Sequence, residues 1–314
     1  MKEIKAHEKL KTPGVLGTLF GIGVLALKSR GRKSGVALPH MIGSYTLVSS
    51  VNKKDNASTM GIGVYQHDGK RVIIKRWEGK IKDFAYYMLV NEYLLNELLS
   101  KKIASYASNY TFPNSIEYFK DATSFSAVFE FVDGTLLTTY PLEKQAEVVA
   151  GAIDFISKIS SGLSIDERSR FVQRPFSYYL FLLPIITVAS ALADIRNAGT
   201  IFSVAGSALS TAPQLARTLA LAHRDITPDN IMIAGESAYI LDTENMVLTL
   251  PGYDYAYLCA TPDHQELVQM LPARFVTRNS AFLQKYITLH HILGSGEFLK
   301  VNSRYVDLLR KLRT

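Results

Sequence analysis

Three side chains with oxygen donors fall within one short stretch, LAHRDITPDNIMIAGESAYILDTEN: Asp225, Asn230 and Asp242. Carboxylate and amide oxygens suit a hard divalent cation such as Mg²⁺, whose remaining positions are completed by water and phosphate. Two apolar runs, 231–234 and 238–241, flank Gly235, Glu236 and Ser237 and predict a β-hairpin with a three-residue loop. In a hairpin symmetric about Glu236, position 230 faces position 242. Directly opposed Cα atoms lie about 4.5 to 5.5 Å apart, so Asn230 and Asp242 can reach one cation at the open end. Asp225, on the loop that enters the hairpin, places a second carboxylate at that end.

The elements around this stretch must hold it in place. Thr211 as N-cap and Pro213 in the first turn predict a helix that carries Leu215, Leu219 and Leu221 toward His223. A polar loop, 223–229, containing Pro228, then leads into the hairpin. This arrangement resembles the catalytic core of the protein-kinase-like superfamily. His223-Arg224-Asp225, four residues and then Asn230 match its catalytic-loop signature, and Asp242 stands where the metal-binding Asp of the DFG motif stands. The resemblance implies that Asp225 orients the acceptor hydroxyl and accepts its proton, that Asn230 and Asp242 hold Mg²⁺ on the phosphates of ATP, and that His223 and Arg224 support the loop. It also implies an α+β, two-lobed protein-kinase-like fold, with an antiparallel β-sheet N-lobe and a mainly helical C-lobe.

Such a core requires a lysine strand and a helix glutamate upstream. Val72-Ile73-Ile74-Lys75 resembles the strand whose lysine holds the α and β phosphates, preceded by an apolar run 60–66 and a His67-Asp68-Gly69 turn. The segment 82–102 has helical period, with Phe84, Tyr87, Met88, Leu94, Leu95, Leu98 and Leu99 on one face. At ~100° per residue Glu92 falls on the flank of that face and Glu97 further from its centre. Glu92 is therefore the expected partner of Lys75, and Glu97 the expected surface residue. The strand-like run AVFEFVDGTLL, 127–137, resembles the linker between lobes, which implies adenine contacts from backbone groups around Glu130 to Val132, with Phe129 behind them. Asp254, in GYDYAYL, resembles the Asp that supports the catalytic loop.

What is missing narrows the branch. The loop 52–59 has no GxGxxG, Thr227 stands where protein Ser/Thr kinases usually carry Lys, Asp242-Thr243-Glu244 replaces DFG, and no APE motif follows. The chain reaches Asp254 twelve residues after Asp242, too few for an ordinary activation segment. These features resemble the aminoglycoside phosphotransferase and choline kinase group, which implies ATP- and Mg²⁺-dependent transfer of a phosphoryl group to a hydroxyl of a small molecule. A protein kinase and an inactive nucleotide-binding pseudokinase are the alternatives. Arg224 departs from the pattern, since aminoglycoside-type enzymes commonly carry Gly there. By analogy with the acceptor pockets of that group, Tyr178 and Tyr179 are candidate pocket residues.

Composition bounds the remaining questions. The chain has 314 residues, 47% hydrophobic and 20% charged, with mean hydropathy +0.08, which supports a large buried core and excludes general disorder. A lone cysteine, Cys259, excludes an internal disulfide. The net charge of +7 is concentrated at one end: residues 1–33 hold eight Lys or Arg and two Glu, so the rest is close to neutral and no nucleic-acid partner is expected. Residues 13–27 carry no charge, and at ~1.5 Å per residue a helix of that length falls short of the ~30 Å hydrocarbon core. Contact with an anionic inner membrane face through residues 1–33, or a packed N-terminal helix hairpin, are the two readings. A second uncharged stretch, 175–193, is long enough to span, but reads as a core helix broken at Pro184, because residues on both sides of it belong to one expected site. Adjacent His290 and His291 are expected to diverge, and no protein partner is identifiable. The expected organisation is an extension, 1–40, an N-lobe, 41–133, and a C-lobe, 134–314, in a cytoplasmic protein.

Overall fold

The computed structural model describes residues 36–51, 60–79, 82, 84–212, 215, 218–293, 305, 308, 311 and 312. The expectations for residues 1–33, for the loop 52–59, for Pro213 and for most of the basic C-terminus lie outside these residues. In chain order come strands β1 (Met41–Ile42), β2 (Tyr45–Ser50), β3 (Met60–His67) and β4 (Lys70–Glu78), helix α1 (Phe84–Ile103), and strands β5 (Tyr110–Thr111), β6 (Ser115–Lys120), β7 (Ser124–Glu130) and β8 (Thr135–Leu136). Helices α2 (Leu142–Gly162) and α3 (Ile165–Arg168), strand β9 (Val172–Gln173), helices α4 (Phe176–Ala193) and α5 (Ala198–Thr211) and strand β10 (Ala220–Ala222) follow. The chain closes with β11 (Ile231–Ala234), β12 (Ser237–Ile240), β13 (Val247–Thr249), α6 (Tyr253–Cys259), α7 (Gln265–Met270) and α8 (Arg278–Ile292).

Two compact units result. One takes the described residues up to Leu136 together with Asn230–Asn245, and the other takes Leu137–Asp229 and the described residues from Met246 onward. The hairpin 230–245 thus belongs with the N-terminal unit although it lies far along the chain.

In the first unit a six-stranded antiparallel sheet has the order β1-β2-β3-β4-β7-β6. Successive strand residues point to opposite faces. In β4, Val72 and Ile74 therefore join Tyr45, Tyr65 and Val128 in one cluster, whereas Ile73 and Trp77 pack with α1 on the other face. Lys75 lies between those two and shares the α1 face. The β3–β4 turn contains only Asp68 and Gly69, at φ 49° and 75°, the left-handed pair that matches strand twist, and His67 stays in the ladder opposite Lys70. Helix α1 buries Tyr86, Leu89, Val90 and Tyr93 against this sheet face, at the spacing of a helical stripe. Tyr87, expected on the apolar face, is exposed instead, one position round the helix from the buried Tyr86. A second sheet has the order β5-β12-β11-β8.

In the second unit, β10 pairs antiparallel with β13, which pairs parallel with β9. Of the helix expected from Thr211 to Leu221, residues 213, 214, 216 and 217 lie outside the described residues, and its two ends differ from the expectation. Thr211 ends α5, its hydroxyl donating to the Ala208 carbonyl, and Ala220–Ala222 is a strand opposite Val247–Thr249. Tertiary pairing overrides a weak local helix preference here. Helix α4 runs unbroken through Pro184. It is the one described helix long and apolar enough to cross a membrane, and 39% of it is buried. Tyr179, Leu182, Leu183 and Ile186 pack with α5 and α8 residues such as Ile201, Val204, Phe282 and Leu283, while Phe181, Val188 and Leu192 face outward. Two of its buried hydroxyls are satisfied by main-chain carbonyls: Thr187 donates to Leu183 within the helix and Ser190 to Leu289 on α8.

Candidate active site

In the first unit the sheet and helix bring Lys75 and Glu92 together. Lys75 Nζ donates to Glu92 Oε1 at 2.7 Å, with both side chains almost fully buried. The same Nζ lies 2.5 Å from Asp242 Oδ1, whose side chain is 47% exposed. Glu97 instead pairs on the surface with Lys101. One ammonium therefore serves several carboxylates. Lys75 is held well above its ordinary pKa; burial opposes its charge, but Glu92 and Asp242 outweigh burial. The Glu92 carboxyl is pushed up to about 8, first by burial and then by Glu244 and Asp242, against the pull of Lys75. Asp242 alone of the Lys75 partners keeps its carboxylate partly exposed.

Asp242 is fixed by the hairpin before it and by α1. The β11–β12 register pairs Ala234 with Ser237 and Ile231 with Ile240, so the loop is the two residues Gly235 and Glu236 rather than three. Gly235 takes φ 59°, the glycine-first form of a two-residue turn. The shorter loop shifts the register by one: Asn230 accepts at its carbonyl from the Leu241 N–H at 2.8 Å, and Asp242 lies one residue beyond the pairing expected for it. Asp242 itself adopts φ 54°, and the turn after it is tied to α1. The Thr243 hydroxyl donates to Asn96 Oδ1 at 2.7 Å, and the Asn91 amide donates to the Glu244 carbonyl at 3.2 Å. Neither asparagine was expected in the site. Their signal in the sequence is only that two weak helix formers flank Glu92 in an otherwise apolar helix.

Glu130 ends β7. Its N–H donates to the Asn114 carbonyl at 2.9 Å, and its side chain accepts from the Asn114 backbone N–H and amide. That N–H is therefore committed within the sheet. Val132 is buried in the segment that follows, and Phe129 is buried with Lys75 Nζ 5.9 Å from its ring centre.

In the second unit α2 and α3 anchor the strand that leads into the loop 223–229. The Leu221 N–H donates to Ser160 Oγ at 2.8 Å, and Arg168 donates to the carbonyls of Leu219 and Ser160. Beyond β10 lies His223, fully buried. Arg224 adopts φ 72°, a left-handed conformation costly for a residue with a Cβ and free for glycine. The buried Asp254 carboxylate, in the first turn of α6, holds it there: it accepts from the His223 N–H at 3.1 Å and the Arg224 N–H at 2.7 Å. The Asp225 carboxylate is bonded by the Tyr257 hydroxyl, one turn after Tyr253 on α6. Burial first, and Asp225 next, hold the Tyr257 phenol protonated. Tyr257 was not expected either. Tyr179, a candidate pocket residue, is fully buried, with its hydroxyl against Thr249 Oγ1; Tyr178 keeps partial exposure. His290 and His291 have ring centres 5.7 Å apart and meet different partners, His290 stacking on Tyr286 and His291 packing edge-on against Tyr257.

A family model described as the phosphotransferase enzyme family, APH, matches residues 112–283. The chain belongs to this family. It is a phosphotransferase with an alcohol group as acceptor, a small-molecule kinase with a protein-kinase-like fold. No curated protein matches the chain. A thermostable mutant of aminoglycoside phosphotransferase APH(4)-Ia superposes with TM-score 0.62 at 10% identity, over 85% of this chain and 95% of that one. Spectinomycin phosphotransferase APH(9)-Ia, solved with ADP and spectinomycin, gives 0.56 at 12% identity, over 84% and 88%. A further variant of the thermostable APH(4)-Ia mutant, solved as a ternary complex with AMP-PNP and hygromycin B, gives 0.61 at 9% identity, over 86% and 92%. At these identities the likeness is one of fold.

Among the described residues no group of three or more His, Cys, Asp or Glu side chains is placed to hold a metal ion. An amide and a carboxylate, Asn230 and Asp242, are what the chain offers to Mg²⁺, which commonly keeps several waters and binds phosphate oxygens besides one or two carboxylates. The partly exposed Asp242 carboxylate, with the Glu92 and Glu244 carboxyls near it, fits that ion.

Proposed function

We propose that this phosphotransferase moves the γ-phosphoryl group of ATP to a hydroxyl of a small molecule. The observation that carries the reading is Lys75 Nζ held between Glu92 and Asp242, because a buried lysine fixed in this way presents a positive charge suited to nucleotide phosphates. The AMP-PNP and ADP in the solved structures of similar fold support ATP as the donor. Glu92 positions Lys75; backbone groups between Glu130 and Val132 meet the adenine edge. Asn230 and Asp242 hold Mg²⁺. When bound, that ion offsets the negative charge of the phosphates.

The acceptor half of the chemistry belongs to Asp225. Its carboxylate is a hydrogen-bond acceptor only, so it aligns the acceptor hydroxyl and takes its proton as a bond forms between that oxygen and the γ-phosphorus. The bond from phosphorus to the oxygen bridging to ADP breaks in the same transfer. Tyr257 fixes the carboxylate, and Asp254, through the backbone of His223 and Arg224, fixes the loop. Positioning and electrostatics supply the catalysis.

The test is a Mg²⁺-ATP-dependent screen, following ADP release, over amino sugars, amino alcohols, sugars and lipid head groups. One class accelerates ADP release and gains a phosphoryl group. Labelled protein bands from a lysate, with no labelled metabolite, contradict the small-molecule reading.

A further inference from the structure

Beyond Tyr257, several side chains of the second unit that the transfer step leaves without a role form a wall leading away from Asp225. Tyr257, bonded to Asp225, meets His291 with ring centres 5.7 Å apart, and His291 meets His290 at the same distance. His290 stacks on Tyr286 at 6.5 Å with 18° between the planes. Tyr286 packs edge-on against Tyr179 at 4.9 Å, and Tyr179 against Tyr178 at 5.2 Å. Two guanidinium groups lie on this wall: Arg174 over the Tyr178 ring at 5.1 Å and Arg224 over the Tyr253 ring at 5.6 Å. Arg174, Tyr178 and Arg224 are partly exposed and His290 is exposed, so all four can be reached from solvent.

The charge of the wall is positive. His290 is pushed down to about 4 and His291 to about 3, each first by loss of water; nearby Arg224 and Arg174 add to the effect on His290, and His290 and Arg224 to that on His291. Both imidazoles are neutral near pH 7 and leave the two arginines as the cations. Among the described residues, neither guanidinium forms an ion pair with a carboxylate. Asp254, the carboxylate that senses Arg224, already accepts two backbone N–H bonds. A polycationic acceptor would meet two fixed positive charges on this wall. A carboxylate or phosphate on the acceptor would meet planar guanidinium donors, the partners it binds best, with aromatic faces to cover its carbon skeleton.

We infer that the wall formed by Arg174, Tyr178, Arg224 and His290 is an acceptor subsite for hydroxy compounds that carry an anionic group. The inference builds on the reading of Asp225 as the residue that receives the acceptor. It assigns Arg174 as a specificity residue and sets this chain apart from its structural neighbours solved with hygromycin B and spectinomycin.

The experiment is equilibrium binding to the full chain, with AMP-PNP saturating, of glycerol 3-phosphate, glycerate, glycerol and hygromycin B. Either anionic probe, or both, binds about tenfold or more tighter than glycerol, the size of one charge-assisted hydrogen bond, and hygromycin B binds no better than glycerol. The phosphate and carboxylate arms show which anion is preferred. Arg174→Gln removes the advantage of the anionic probes, and Arg174→Lys restores part of it. If Arg174→Gln fails to fold, the wild-type order of affinities and the Arg174→Lys variant decide. Equal binding of glycerol, tight binding of hygromycin B, no binding of either anion at millimolar concentration, or equal weakening of all probes by Arg174→Gln overturns the inference. Failure of AMP-PNP to bind counts against the kinase reading alone, because the anionic probes still report on the subsite.

Discussion

Glu92 is the residue at which structure and pH dependence meet. Its carboxyl is raised from an ordinary 4.5 to about 8 in the folded protein, by burial and by sharing Lys75 with neighbouring carboxylates. The folded state therefore holds this proton more tightly than the unfolded chain, so its contribution to stability is full below pH ~4.5 and is lost as pH rises to ~8. Lys75, raised above its ordinary range, contributes on the other side: its stabilisation persists through neutral pH and is lost only under strongly alkaline conditions. Without nucleotide or metal, Tm is expected to fall by ~3 °C or more between pH 5 and 8, and Glu92→Gln removes most of that slope. A flat profile for the wild type shows that Glu92 is ionised throughout. At this scale the sequence was readable where spacing along one strand or helix decided the contact, as for Lys75 and Glu92. It was not readable for Arg174, Tyr257 and His290, which come from three separate stretches of chain and meet only through packing.

Helix α1 is the element that ties the Lys75 group together, because Asn91, Glu92 and Asn96 on it hold Glu244, Lys75 and Thr243. Thr243 and Asn96 are both buried, so Thr243→Val leaves Asn96 Oδ1 without its donor, at a cost of about 1–3 kcal/mol. The expected result is a lower Tm and a several-fold higher KM for ATP, with Thr243→Ser restoring both; an unchanged KM means that this bond does not position Asp242. Helix α1 was legible from its period and length. Strand β10 was not: three residues next to a leucine-rich run gain strand geometry only by pairing with Val247–Thr249, more than twenty residues later. The hairpin was legible as a hairpin. Its register slipped by one because Gly235 at φ 59° permits a two-residue turn that the flanking apolar runs do not reveal.

At the scale of the molecule the chain carries Lys75, Glu92, Asn230 and Asp242 in one compact unit and Asp225 with Asp254 in the other, and it passes from one to the other between Asp229 and Asn230. The fold class was legible because the motif residues and the lysine strand imply both lobes; the return of 230–245 to the N-terminal unit depends on β11 pairing with β8 and β12 with β5, which local pattern does not encode. Eight Lys or Arg in residues 1–33, around an uncharged segment, support peripheral contact with an anionic bilayer as a further proposal. Replacing Lys28, Arg30, Arg32 and Lys33 together by Gln is expected to lower flotation with anionic liposomes several-fold and to leave neutral liposomes unaffected; equal flotation removes the basic cluster from the account. The claim on which the rest depends is phosphoryl transfer with Asp225 as the residue that receives the acceptor proton. Asp225→Asn, assayed with the acceptor identified by the Mg²⁺-ATP screen, is predicted to lower kcat by about 10²–10⁴-fold with ATP affinity retained, and turnover equal to that of the wild type contradicts it.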